Sequence, residues 1–237
     1  MKKTLLAVTA ALAATAVPTI ASAQLAFNAA VVTDYRYRGI SQSKLKPAVS
    51  AGVDYAAGAF YVGAWASSIK WIDELGGDGN VEIDVYAGYK GEISKGLGFD
   101  VGVLTYVYPS NKLSPSANTT ELYGALAFGP ATLKYSHAVT NTFANADSKN
   151  SFYVDLSAGF DMGGGLMVTP HIGHQKIKGP NSSACSYTDY SVSLSKDFSG
   201  FVPSLMAVGT NAKDACYLVN GKDLGKASLV LGLKYNF

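Results

Sequence analysis

Cys185 and Cys216 are the only cysteines in the 237 residues. Two thiols exported to an oxidising compartment pair readily. Left reduced, they would be free thiols or half of a soft metal site. The metal reading lacks further soft ligands nearby in sequence, so a disulfide is the expectation. His137, His171 and His174 invite a test for nucleophilic catalysis. Ser136 and His137 are adjacent, and in an extended chain adjacent side chains point to opposite faces. His171 and His174 also fall on opposite parities. No segment sets a nucleophile, a base and an orienting group at workable spacing. Gly163-Gly164-Gly165 precedes no helical pattern, so it reads as a tight turn and not a phosphate loop. No enzyme activity, cofactor or metal is expected.

The remaining polar side chains recur at every second position, among Gly, Ser, Ala and Tyr. Asp34, Asp54, Glu82, Asp84, Asp100, Glu121, Asp155 and Asp189 share one parity of their segments. Arg36, Arg38, Lys134 and Lys234 share it too, as do Tyr61, Trp65, Tyr86, Tyr106, Tyr123 and Tyr153. The opposite parity is apolar, as in Leu229, Leu231 and Leu233. A period of two is the signature of strands with one apolar and one polar face. Twelve such runs are read: 25–36, 47–57, 59–69, 81–91, 97–108, 119–128, 131–140, 151–161, 166–176, 187–198, 201–210 and 226–237; ten or fourteen remain open if a run is split or merged.

The connections alternate. Short Gly- and Pro-bearing breaks follow every second strand, and the stretches 37–46, 70–80, 109–118, 141–150, 177–186 and 211–225 are longer and polar. In an antiparallel meander this puts every short turn at one end, the asymmetry of an outer-membrane barrel. Only 15% of the chain is charged, against roughly 25% for a soluble domain. The near balance of 19 basic and 17 acidic residues argues against a nucleic-acid binder. A secreted sandwich would share the period of two, but its wet face would carry more Lys and Glu. The expected fold is therefore an all-β, antiparallel, up-and-down transmembrane barrel over 24–237. Closure leaves no unpaired backbone in lipid. Tyr35, Tyr37, Trp71, Tyr106, Tyr108, Tyr187 and Tyr235 stand near strand ends, where interfacial girdles form. Residues 1–23 read as a signal peptide: Lys2-Lys3, an apolar run, then Ala21-Ser22-Ala23 before the cut.

The segment Thr33-Asp34-Tyr35-Arg36-Tyr37-Arg38-Gly39-Ile40-Ser41-Gln42 is distinctive. Gly52-Val53-Asp54-Tyr55, Glu82-Ile83-Asp84, Ala87-Gly88-Tyr89, Tyr106-Val107-Tyr108-Pro109 and Glu121-Leu122-Tyr123 follow it in order. Over nearly all of 24–237 the chain resembles the TorF family of porin-like proteins of Gram-negative bacteria. The compact loop around Cys185 departs from that pattern. The resemblance implies an outer-membrane barrel and says little about substrate. The expected function is a monomeric channel for passive diffusion of small polar solutes. The rival is a non-conducting barrel with a structural, adhesive or docking role.

The acids outnumber the bases on the polar parity, which points to a mild cation preference. Asp34, Arg36 and Arg38 either ring the pore mouth or pin the first long loop as a salt-bridge network. The inward tyrosines either form a slide for sugars or aromatics, or plug the bore. The long loops look too short to fold deep into it. Tyr235 and the final Phe237 resemble the strand-end signal read by the outer-membrane assembly machinery, the expected partner besides the bilayer and small solutes.

Overall fold

Alternating apolar side chains with intervening Gly, Ser and acid residues cannot bury one stripe as a helix would. They pair laterally instead. In a computed structural model, which describes residues 23–237, they form twelve antiparallel strands. The signal-peptide cut aside, the expected leader lies outside the described residues. The strands are β1 Gln24–Val32, β2 Ala48–Ala57, β3 Phe60–Ser68, β4 Val81–Ser94, β5 Leu97–Val107, β6 Thr119–Phe128, β7 Ala131–Ala138, β8 Phe152–Ala158, β9 Leu166–Lys176, β10 Tyr187–Lys196, β11 Phe201–Thr210 and β12 Ser228–Asn236. The short piece Phe160–Asp161 continues β8 against β9. Each strand pairs with its neighbour in sequence, and β12 pairs with β1, Val31 opposite Leu233 and Asn28 opposite Asn236. The sheet is thus closed, with no free edge. Neither ten nor fourteen strands form.

The period of two sets the faces. Leu229, Leu231 and Leu233 point out and are 70%, 57% and 44% exposed, while Val230 between them is 5% exposed and points in. An exposed apolar outer wall has one natural solvent, the hydrocarbon of a bilayer. Short turns close one end, as at Gly58-Ala59 and Gly129-Pro130. Six longer connections gather at the other, which we take as the outer end: L1 (33–47), L2 (69–80), L3 (108–118), L4 (139–151), L5 (177–186) and L6 (211–227). No helix among the described residues is long and apolar enough to cross a membrane.

The aromatic girdle differs from expectation. Trp71 opens a short helix, Trp71–Glu74, and packs edge-on against Tyr108 at 5.4 Å. Tyr35, Tyr37, Tyr106 and Tyr187 join the same buried loop cluster with Ile40, Ile69 and Ile72. These side chains lie on loops or on the inward parity, so they cannot reach the membrane interface. Of the expected set, only Tyr235 faces lipid. Several lipid-facing aromatics pair instead at the short-turn end: Phe60 on Tyr89 at 4.8 Å, Phe201 on Tyr235 at 4.3 Å, and Phe237 on Phe27 at 5.8 Å.

Candidate functional site: the bore and the loop across it

β1 stops at Val32, earlier than the sequence pattern suggests. Asp34, Arg36 and Arg38 are therefore not lumen-facing strand residues. They belong to L1, which turns into the bore through a small hairpin, Arg36–Tyr37 against Ile40–Ser41. This corrects the expectation that no long loop reaches deep inside. The root of L1 is held by Arg36. Its Nε donates to Asp34 Oδ2 at 2.6 Å, its Nη1 to the carbonyls of Gly39, Leu224 and Lys226, and its Nη2 to Ser228 Oγ at 2.8 Å. Ser41 and Ser43 hydroxyls donate to Asp34 Oδ1.

The tip of L1 is held by Arg38. Nη1 and Nη2 donate to the two oxygens of Glu121 at 3.0 and 2.7 Å, and Nη1 also to Gln175 Oε1 at 2.6 Å. The guanidinium lies 4.3 Å from the Tyr153 ring centroid and 4.8 Å from that of Tyr37. Glu121 is on β6 and Gln175 on β9, on either side of the point opposite L1. The loop thus spans the bore. The charge-assisted, two-pronged contact is the strong kind of hydrogen bond. Gly39, next in the chain, sits at φ +79, and a Cβ there would lie 2.6 Å from Thr210 Cγ2 and 2.7 Å from Asp189 Cβ. Only glycine suits both the left-handed backbone and the close approach. Of the two sequence readings of this triad, the geometry matches the pinning network.

Toward the short-turn end the inward tyrosines pack against the wall. Tyr86 lies over Gly63, Tyr61 over Gly88 and Tyr123 over Gly102, each glycine on the adjoining strand and too close for a Cβ. The rings lie flat against the wall, in hollows that glycine leaves. Their hydroxyls are engaged as well. Tyr86 donates to Asp54 Oδ1 at 2.5 Å and Tyr61 to Asp100 Oδ1 at 2.6 Å, with Tyr123 bonded to Tyr61. Lys134 Nζ sits 4.1 Å above the Tyr123 ring and Lys90 Nζ 5.6 Å from that of Tyr61. Lys90 is a lumen cation that the sequence reading missed, although its parity on β4 with Glu82 and Asp84 identifies it. Nearer the loops, Tyr35 donates to Glu82 Oε1 at 2.6 Å and its ring packs edge-on against Trp65 at 5.3 Å. Tyr106 bonds Tyr37.

On the β8–β10 wall, Tyr153 donates to Asp189 Oδ2 at 2.9 Å, and His171 stands beside both, its Nδ1 3.5 Å from Asp189 and its Nε2 4.0 Å from Asp155. His137 and His174 lie outside the bore, on the lipid-facing parity. Asp84 Oδ1 and Asp100 Oδ2 have no hydrogen-bond partner among the described residues. Lys234 points inward on β12 and is half-buried. The described residues hold no group of three His, Cys, Asp or Glu side chains that could bind a metal. The polar filling is lopsided. Thr132, Ser136 and Ser157 on β7 and β8 are buried under it, whereas Ser191, Ser193, Ser195, Ser204 and Asn28 on β10, β11 and β1 stay half-exposed.

The outer loops are cross-braced. Cys185 and Cys216 form the expected disulfide between L5 and L6, with Cα atoms 5.3 Å apart. Tyr217 donates to the Cys185 carbonyl at 2.7 Å. Burial pushes its hydroxyl pKa up. Glu74 on L2 accepts from Lys44 of L1 and from Asn220 of L6, and these hydrogen bonds hold its carboxyl below the usual range. Lys112 does the same for Asp78 at 2.6 Å.

Among solved structures the fold is similar to that of the NanC porin, with TM-score 0.56 and 11% identity over 90% of this chain and 99% of that one. An outer membrane channel from Pseudomonas putida F1 aligns at TM-score 0.49 and 13% identity, over 93% and 96% of the two chains. OccD1 (OprD) aligns at TM-score 0.40 and 13% identity, over 90% and 65%. At such identities the likeness speaks to the fold alone. No curated protein matches the sequence. A family described as "Bacterial protein of unknown function (Gcw_chp)" matches residues 16–237, and the chain belongs to that family.

Proposed function

We propose that the chain is an outer-membrane channel for passive diffusion of small polar solutes, with its path set to one side of the bore. The observation that carries this reading is the placement of the tyrosines against glycines. Tyr61, Tyr86 and Tyr123 line the wall, and the half-exposed hydroxyls of β10 and β11, with the Asn28 amide of β1, face the space left. Selectivity then comes from the bore, from lumen charge and from the position of L1. No covalent step is involved. The excess of acids over bases on the inward parity favours a mild cation preference, which Lys90 reduces. The sequence likeness to TorF porin-like proteins points the same way. Residues 1–23 act as the export signal. The chain works as a monomer, and Tyr235 with Phe237 addresses the assembly machinery.

One observation favours a second reading, a non-conducting barrel that docks a partner or supports the envelope. L1 reaches across the bore and is tied there at Arg38. Liposome swelling decides between the two. Purified, folded protein should admit a small sugar or amino acid and exclude an oligosaccharide. Vesicles that admit no solute of any size favour the second reading.

A further inference from the structure

Seen from the lipid, the outer end of the barrel is uneven. On β1, β2, β4 and β6 the last lipid-facing large side chains are apolar: Val31, Val49, Val81 and Leu122. On β7 and β9 the apolar run ends sooner. His137 follows Tyr135, and His174 and Lys176 follow Ile172. The register lines these up, Phe152 of β8 standing opposite His137 on one side and Lys176 on the other. The imidazoles are held: His137 Nε2 lies 3.2 Å from Asn150 Oδ1, and His174 Nδ1 lies 3.0 Å from Thr188 Oγ1.

Above this row stand Lys149 of L4, Lys178 of L5 and Lys213 of L6. Elsewhere on the rim Lys44, Lys70 and Lys112 pair with Glu74, Asp73 and Asp78, while Lys46 stands on L1 and Lys222 and Lys226 on L6. Among the described residues, no carboxylate pairs with Lys149, Lys176, Lys178 or Lys213. The acids of L4 and L6 are Asp147, Asp214 and Asp223, the first two exposed. The platform is braced: Asn181 donates to Asn145 at 3.0 Å, the Lys178 amide to Ser151 Oγ at 2.9 Å, and the disulfide joins L5 to L6. Below it, the lipid-facing wall of β9–β12 holds an apolar depression of about 640 Å³, between Pro170, Tyr190, Val192, Ala207 and Leu229.

A basic, hydrogen-bonding ledge over an apolar groove matches one class of molecule, a phosphorylated glycolipid with acyl chains. We propose that the outer ends of β7–β10, with L4 to L6, bind the phosphate-bearing headgroup of lipopolysaccharide, whose chains lie in the groove beneath. Charge complementarity selects the headgroup. Basic side chains beside an anionic lipid surface each strengthen binding, and several together multiply the effect. The proposal rests on the outer-membrane reading above.

The test uses the full chain folded in detergent, with bound lipid counted by native mass spectrometry. Lipid A, dephosphorylated lipid A and inorganic phosphate are the probes. The variant Lys149→Gln, Lys176→Gln, Lys178→Gln is compared with Lys46→Gln, Lys70→Gln on L1 and L2, at the far rim. Lipid A should bind the native chain better than its dephosphorylated form, and the triple variant should lose about a hundredfold in affinity. The far-rim variant should bind as the native chain does. Equal binding of lipid A by the triple variant and the native chain overturns the proposal. So does equal binding of phosphorylated and dephosphorylated lipid. Full competition by inorganic phosphate at the concentration of lipid A also overturns it, since the site would then take free phosphate. Heat-modifiable gel mobility separates the two levels. A folded barrel without lipid preference fails only the docking proposal, whereas a chain that never shows the shift fails the barrel reading too.

Discussion

Replacing Arg38 by Met tests whether L1 is a strap. The substitution keeps an unbranched apolar stem and removes the guanidinium. Three hydrogen bonds go, two to Glu121 and one to Gln175, along with the stacking on Tyr153 and Tyr37. Glu121 is 2% exposed, so its carboxylate is left buried without its cation. Breaking one side of such a pair costs about 3–5 kcal/mol. The barrel ladder does not depend on this contact, and Arg36 still anchors the root of the loop. The cost is therefore best relieved locally, by the tip of L1 leaving Glu121 to water. Single-channel recording should show a larger conductance for R38M than for the native chain, and protease should cut L1 faster. Adding Glu121→Gln removes the stranded charge. The double variant should recover much of the lost unfolding stability, with a coupling of about 0.5–3 kcal/mol, while keeping the open loop. If R38M matches the native chain in conductance, in cleavage pattern and within about 0.5 kcal/mol of stability, L1 is not a strap held at Arg38.

Gly39→Ala should act in the same direction, because its Cβ would meet Thr210 and Asp189 and its φ is left-handed; a loss above about 1 kcal/mol in urea unfolding is expected, and an unchanged midpoint would count against the close packing. Gly88→Val should drive the Tyr61 ring off the wall and lower conductance, whereas an unchanged conductance would place the solute path away from that ring. Removing the disulfide by Cys216→Ala should cost about 2–4 kcal/mol and expose L5 and L6 to protease with the strands still protected, as read by limited proteolysis. The Glu74 bridge is a pH-dependent brace among L1, L2 and L6. Its carboxyl is held below the usual range, so its contribution is present above the unfolded-state pKa and is lost as pH falls through the lower, folded-state value. Loop cleavage should thus rise at acid pH in the native chain, and Glu74→Gln should flatten that part of the profile; identical profiles would deny the bridge a role.

The strands were legible because lipid and water impose opposite demands at neighbouring positions. Leu229, Leu231 and Leu233 against Val230 and Gly232 need no register to show their faces. The alternating connections gave the handedness of the two ends in the same way, and two cysteines in neighbouring outer loops gave their own partner. What stayed hidden depends on pairing across strands or across the bore. Arg38 reaches partners 83 and 137 residues away, and nothing local to Asp34–Gly39 shows that the loop turns inward. The fate of Tyr61 and Tyr86 was open for a similar reason. Whether a ring fills a bore or lies on its wall depends on whether Gly88 or Gly63 is its neighbour on the next strand, and that requires the register. The aromatic girdle was misplaced because Tyr106 and Tyr187 are near strand ends but on the inward parity, and Tyr35 and Trp71 are in loops.

Planar-bilayer recording of the purified, folded chain tests the central claim most directly. The account predicts small, discrete conductance steps, with a reversal potential in a salt gradient that shows a modest cation preference, and larger steps for R38M. A chain that folds with heat-modifiable mobility yet never opens at any voltage, as native protein or as R38M, would contradict it.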